Sequence, residues 1–226
     1  MNRTPPPAPP LLRVRHLGLA GKHGPVFADV SFDLAAASLG VVHGRSGSGR
    51  SSLLLAAVGR MRGLTGRGTF AGHDLIRDTA AVRRRTAVAR IADLVDLEPQ
   101  LTVQESLTER SLTEGIAAAA AELAFAATEE QLDVVFPRSS LVEDLSRLDR
   151  GRLALALAAL RPADLVVLDD VDLALDPTDQ ADLFAAMTVL TARGCAVLAS
   201  TTTAETIPSV ATVVALDPRT PSPQEI

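Results

Sequence analysis

LGVVHGRSGSGRSSLLLAAV, residues 39–58, contains three kinds of chain in succession. Leu39–His43 is a short apolar run, as expected of a buried strand. Gly44–Ser51 is rich in glycine and serine. Ser51–Arg60 then carries Leu53, Leu54, Leu55 and Val58 at helical spacing. Strand, glycine turn and helix, in that order, are what a phosphate cradle requires. Gly44-Arg-Ser-Gly-Ser-Gly-Arg-Ser51 fits G-x-x-x-x-G-K-[ST], except that Arg50 stands in the lysine position. Glycines at 44, 47 and 49 let the backbone curl and aim its N–H groups at an anion. The following helix adds the partial positive charge of its N-terminus. The expected phosphate contacts are Gly44, Arg45, Ser46, Gly47, Ser48, Gly49, Arg50, Ser51 and Ser52. The Ser51 hydroxyl is also an expected magnesium ligand. Arginine is a wide planar fork where lysine is a compact point charge. Binding is therefore expected to survive this change more easily than catalysis.

A second site follows about 125 residues later. Leu165-Val-Val-Leu-Asp169-Asp170 is an apolar strand ending in two carboxylates. In nucleotide-hydrolysing folds the first holds magnesium and the second polarises a water, so Asp169 is an expected metal ligand and Asp170 an expected catalytic residue. The rest of the chain alternates in the same way. Val26–Phe32 and Ala196–Ala199 read as strands. Ile116–Ala127 and Arg152–Leu160 read as helices, the second closed by Pro162. Thr102 with Glu105, and Thr128 with Gln131, show capping-box spacing. Asp176 reads as the N-cap of a helix with Pro177 at its first position. Buried strands alternating with helices imply an α/β fold with a largely parallel sheet.

Composition narrows the functions open to the chain. Of 226 residues, 47% are hydrophobic and 22% charged, near the globular average. A single cysteine, Cys195, excludes a disulfide framework and a cysteine-based zinc site; at the start of a strand it reads as an inert core residue. The net charge of −5 gives no basic face for nucleic acid. Arg83–Arg85 reads as a solvated edge. No run of eighteen apolar residues or apolar leader is present, so a cytoplasmic chain is expected. Lys22 is the single lysine, and Trp and Tyr are absent.

The order of these motifs resembles the ATP-binding cassette of ABC transporters over roughly residues 12–216. Gly44–Ser51 resembles the Walker A loop and Leu165–Asp170 the Walker B strand. Leu101-Thr-Val-Gln-Glu-Ser-Leu107 resembles the family's LTVxENL segment. Leu145-Ser-Arg-Leu-Asp149 stands where LSGGQ belongs, and Asp172-Leu-Ala-Leu-Asp-Pro177 resembles the D-loop stretch SALDP. The resemblance implies a P-loop NTPase-like core with mixed β-sheet and an inserted helical subdomain at about 97–148. It places this within a domain at 12–218, between a disordered Pro-rich tail at 1–11 and a loose tail at 219–226.

The same resemblance exposes five departures. Arg50 replaces the Walker A lysine and Asp170 the catalytic glutamate. Asp93 falls at the Q-loop glutamine, with Gln100 the alternative, and would be a metal ligand there. Arg147, Leu148 and Asp149 replace Gly, Gly and Gln of the signature, bringing side chains into a space that glycines keep open. Ser146 remains to face a partner's nucleotide. Thr202 stands at the switch histidine. The adenine-stacking aromatic, expected near Ala20, is missing; His16 and His23 are the substitutes at hand. The resemblance implies an ATP-binding subunit using ATP and Mg2+ with impaired hydrolysis, joined to a separate membrane-spanning chain and paired with itself or another cassette. It would lie peripherally on the inner face of the cell membrane. A non-enzymatic scaffold or regulator of a membrane partner is the alternative. An unrelated kinase or GTPase fits less well, because the only lysine precedes the phosphate loop and leaves no N/T-K-x-D guanine reader.

Overall fold

The computed structural model describes residues 9–22 and 24–216. His23 and most of the two expected tails, residues 1–8 and 217–226, lie outside the described residues. Leu11, expected in the tail, is already packed, and its carbonyl accepts from the Ala71 amide at 2.7 Å. The elements run β1 (Leu12–Gly21), β2 (Gly24–Leu34), β3 (Leu39–His43), α1 (Arg50–Ala57), β4 (Leu64–Phe70) and β5 (His73–Asp74). Then come α2 (Thr79–Arg84), β6 (Thr86–Arg90), α3 (Val103–Glu114), α4 (Ala118–Leu132), a 3₁₀ turn (Val142–Asp144) and α5 (Arg147–Ala158). The chain closes with β7 (Leu165–Leu168), α6 (Pro177–Ala192), β8 (Ala196–Thr201) and β9 (Thr212–Ala215).

The expected α/β class holds, and its strands divide into two sheets. One is antiparallel, in the order β2-β1-β4-β5; the other is parallel, in the order β6-β7-β8-β3-β9. The parallel register sets His43 beside Thr201 and Leu168 beside Ala199. The carboxyl ends of β3, β8 and β7 therefore lie side by side, where open α/β sheets receive ligands. Helix α1 is held between the two sheets. Leu53, Leu54 and Leu55 share one core with Leu12, Leu17 and Phe70 on one side and Val42, Val167 and Leu198 on the other. Burying a leucine contributes about 1.5–3 kcal/mol, so the helix is fixed firmly behind its loop. Helices α5 and α6 cover the opposite face through Leu155, Leu183, Phe184 and Met187. Helices α3 and α4 fold on Phe125, Phe136 and Val142, and meet Leu153 and Leu157 of α5.

Two expectations are corrected, and one strand was not expected at all. Thr128 is not a cap: it lies inside α4, whose N-cap is Ala117, and its hydroxyl donates to the Ala124 carbonyl at 2.9 Å. The alanine-rich run carries the helix through without a break. Helix α5 begins at Arg147 rather than Arg152, because Ser146 caps it. Strand β1 breaks alternation at His16 (φ 51°), with a register shift between Val14 and Leu17. This bulge lies on Gly66, where a Cβ would fall 2.1 Å from the His16 carbonyl oxygen.

Candidate functional site

The loop Gly44–Gly49 joins the carboxyl end of β3 to the N-terminus of α1. Gly49 is the N-cap, in a left-handed conformation (φ 95°), and a Cβ there would fall 2.5 Å from the Val26 carbonyl oxygen. Only glycine fits this close approach. Gly47 is also left-handed (φ 78°), but a Cβ there meets nothing within 4 Å. The Ser48 amide donates to the Arg45 carbonyl at 3.1 Å and tightens the turn. The first N–H groups of α1 lack intrahelical acceptors, as at any helix start. The loop thus presents donors and a helix dipole to an anion.

Arg50 departs from the expectation of a cation free to meet phosphate. Its side chain is only 7% exposed. One terminal nitrogen donates to the Gly44 carbonyl, and the other to Asp170 Oδ1 at 2.5 Å. Asp170 adopts a left-handed turn (φ 48°) just past β7, one of the few side chains for which this costs little. Two of the residues that break the motif are thus bonded to each other across the end of β8.

The neighbouring groups form a dense polar layer. Asp169 is fully buried, and one of its oxygens accepts from the Ser200 hydroxyl. Ser200 Oγ in turn accepts from the Asp170 amide at 2.9 Å. Arg90 donates to the Asp169 and Asp170 carbonyls at 2.8 and 2.7 Å, bracing the acidic turn from β6. Thr202 donates to Asp172 through its amide at 2.9 Å and through its hydroxyl. Burial pushes the Asp172 carboxyl up, but hydrogen bonds from Thr202 and Thr203 outweigh this and hold it below the usual range. His43 brings an imidazole 3.2 Å from the Thr202 carbonyl oxygen. Among the described residues four buried side-chain atoms lack a hydrogen-bond partner. Three are here: Ser48 Oγ, Arg50 Nε and Asp169 Oδ2. Buried polar atoms are normally satisfied, so this concentration marks the layer as the candidate ligand site.

Not every expected site residue joins this layer. Asp93 sits exposed and left-handed (φ 61°) in a tight turn closed by Ile91 and Val95. No three His, Cys, Asp or Glu side chains converge as a metal cluster among the described residues. Gln100 donates to Glu143 at 2.9 Å instead. Ser146 Oγ accepts from the Asp149 amide at 3.0 Å and donates to the Asp149 carboxylate at 2.8 Å, so its hydroxyl is engaged within its own helix. Leu148, expected to intrude on a facing surface, turns into the core instead, and only Arg147 projects. His16 pairs with Asp29 at 2.5 Å, away from the loop's own contacts. Arg83–Arg85 is exposed as expected, Arg85 pairing with Asp164 at 2.6 Å. Cys195 is half-buried just before β8, and burial pushes its thiol up to about 11.

A family model for ABC transporters matches residues 27–172, about two thirds of the chain, from β2 through the acidic turn after β7.

The chain belongs to the ABC transporter family.

Among its curated relatives, the Nod factor export ATP-binding protein I of Rhizobium meliloti is 29% identical over 204 residues, 87% of this chain and 58% of the relative. The pyoverdine export ATP-binding/permease protein PvdT of Pseudomonas aeruginosa is 26% identical over 190 residues, 83% of this chain and 29% of the relative. The chain thus spans less than two thirds of either relative. Its fold matches cbiO1 from Clostridium perfringens, part of the ABC transporter complex cbiONQ. That match has a TM-score of 0.75 at 14% identity, over 92% of this chain and 85% of the other. In this ABC family member, Ser200 and Arg90 hold the acidic turn, yet neither was among the site residues read from the sequence. The alternation of β8 carries no sign that Ser200 faces Asp169, because that depends on the register between β7 and β8.

Proposed function

We propose that this chain is an ATP-binding subunit of an ABC transporter. It binds Mg·ATP through Gly44–Ser52 and Asp169, couples to a separate membrane-spanning chain and turns ATP over slowly. One observation carries the binding: of the four unpartnered buried polar atoms among the described residues, three lie in or beside the phosphate loop. The residues fit a magnesium ion, since Asp169 Oδ2 is an unused carboxylate oxygen and the Ser51 hydroxyl lies at the start of α1. When bound, the ion neutralises phosphate charge. The chain's own part is to cradle phosphate with amides and to fix Asp169 through Ser200.

The slow turnover rests on the groups that should face the reacting phosphate. Arg50 is bonded to Asp170, Thr202 to Asp172 and Ser146 to Asp149. The same pairs favour a second reading, a non-enzymatic scaffold for a membrane partner. A groove of about 280 Å³ supports the partner itself. It is lined by Leu94, Val95, Leu97, Ser106 and Arg110; Leu94 is 68% exposed, and Ser106 Oγ is the fourth unpartnered buried atom. No helix among the described residues is long and apolar enough to cross a membrane, in keeping with a partner that does. The partner would hold the subunit at the cytoplasmic face. A second cassette, identical or different, would complete a pair across α5.

Calorimetric titration with Mg·ATP tests the binding. Gly47→Asp is the control, since aspartate tolerates a left-handed backbone and its Cβ has room there, where one at Gly49 would strike Val26. Saturable binding lost in the control supports the reading. A folded chain with no binding at millimolar ATP overturns it. Phosphate release in the presence of the membrane partner separates slow turnover from a scaffold with none.

A further inference from the structure

We propose that the Arg50–Asp170 pair sets the length of phosphate chain the site accepts, favouring a nucleoside diphosphate over the triphosphate. This rests on the nucleotide-binding reading above. The loop amides and the α1 N-terminus cradle the inner phosphates whatever residue 50 does. The side chain at position 50 is the part of such a loop that reaches the outer phosphates. Here that side chain points at Asp170 Oδ1, 2.5 Å away, and is 7% exposed. A carboxylate therefore occupies the place where the terminal phosphate would meet its cation.

Three carboxylates and three guanidiniums stand around this place before any magnesium ion is counted. Asp169, Asp170 and Asp172 supply three carboxylates. Arg50 is bonded to Asp170, Arg90 to the carbonyls of the acidic turn, and Arg45 stands exposed at the loop. A third phosphate adds anionic oxygens beside Asp170 without a free buried guanidinium to receive them. There it competes with Asp170 for Arg50, and a charge-assisted hydrogen bond between largely buried groups is among the stronger contacts to break. A diphosphate leaves the pair intact. Arg50 Nε, buried and unpartnered, remains to donate to it. The two departures are thus one device: the longer cation reaches across β8 and the shorter carboxylate receives it.

The test compares ADP and ATP, each with magnesium, by calorimetry on the full chain and on Asp170→Asn, which keeps the side chain's shape and removes its charge. The wild type is expected to bind ADP more tightly than ATP. Asp170→Asn is expected to raise ATP affinity about tenfold and leave ADP within about twofold. The guanidinium nitrogen–proton resonances of Arg50 provide a readout that needs no nucleotide. They are expected to be protected from exchange in the wild type and exposed in Asp170→Asn. Tighter ATP than ADP binding by the wild type, or equal gains for both nucleotides in the variant, overturns the proposal and leaves the binding reading standing. Failure of both proteins to bind either nucleotide overturns the binding reading and this one with it, even where the resonances show the pair. Unprotected Arg50 resonances in the wild type overturn the pair itself.

Discussion

Arginine carries its charge farther from the backbone than lysine and spreads it over a planar fork, whereas aspartate is one methylene shorter than glutamate. Arg50 and Asp170 match in reach, and their contact is 7% and 24% exposed on the two sides. Removing either leaves a largely buried charge without its partner. Arg50→Ala and Asp170→Ala are each expected to destabilise the fold, and the double variant by less than their sum. A coupling of about 1–3 kcal/mol should appear in a double-mutant cycle of urea melts. Additive losses would show that the two residues act separately. Asp172 gives a pH-dependent counterpart. Its folded pKa lies below the unfolded value, so it contributes stability above the unfolded pKa and loses it as pH falls through the folded one. Thr202→Val removes one donor and is expected to cost about 1 kcal/mol at pH 7 and less under acid conditions. Melts from pH 7 to about pH 3 measure this. The identities of these residues were legible in the motif spacing. Their bonding was not, because spacing fixes neither which strand ends are neighbours nor where a side chain turns.

Local signals marked the elements unevenly. Thr102 and Glu105 form the capping box that their spacing suggested, with the Glu105 amide on Thr102 Oγ1 at 3.2 Å and the Thr102 amide on Glu105 at 2.8 Å. Thr102→Ala is expected to cost about 1 kcal/mol of stability in a denaturant melt. The strands β3 and β7 and the Asp176–Pro177 start of α6 were equally plain. The Thr128–Gln131 pattern misled because a capping box needs a chain that has not yet begun its helix. Strand β1 escaped notice because its bulge at His16 destroys a period of two. The end of α4 is held from the loop that follows it: Arg138 donates to Glu129 at 2.6 Å. Burial raises the Glu129 pKa, but Arg138 and the Phe136 amide outweigh it and leave it lowered. The stabilisation from this carboxylate is therefore present at neutral pH and fades as pH falls through its folded value. Glu129→Gln should lower stability at pH 7 and flatten the acid limb of the melting curve.

Two sheets clasping α1, with a helical unit set beside them, define the molecule as a whole. The α/β class followed from the alternation of apolar runs and helical patterns. The separation into an antiparallel and a parallel sheet did not, since pairing between β1 and β4 joins segments about fifty residues apart. The groove under Leu94 is the surface proposed for the membrane partner. Leu94→Glu is expected to leave the melting curve within about 0.5 kcal/mol of wild type, because the side chain is exposed. It should abolish co-purification with the membrane chain; retained co-purification would place the partner elsewhere. Cys195 has a different consequence. At neutral pH a thiol with a pKa of about 11 is ionised in only about one molecule in ten thousand. Alkylating reagents are therefore expected to mark the folded protein slowly, and faster when β8 comes away from its neighbours. In a chain with neither tryptophan nor tyrosine to fluoresce, that lone thiol is a built-in clock for the opening of the parallel sheet.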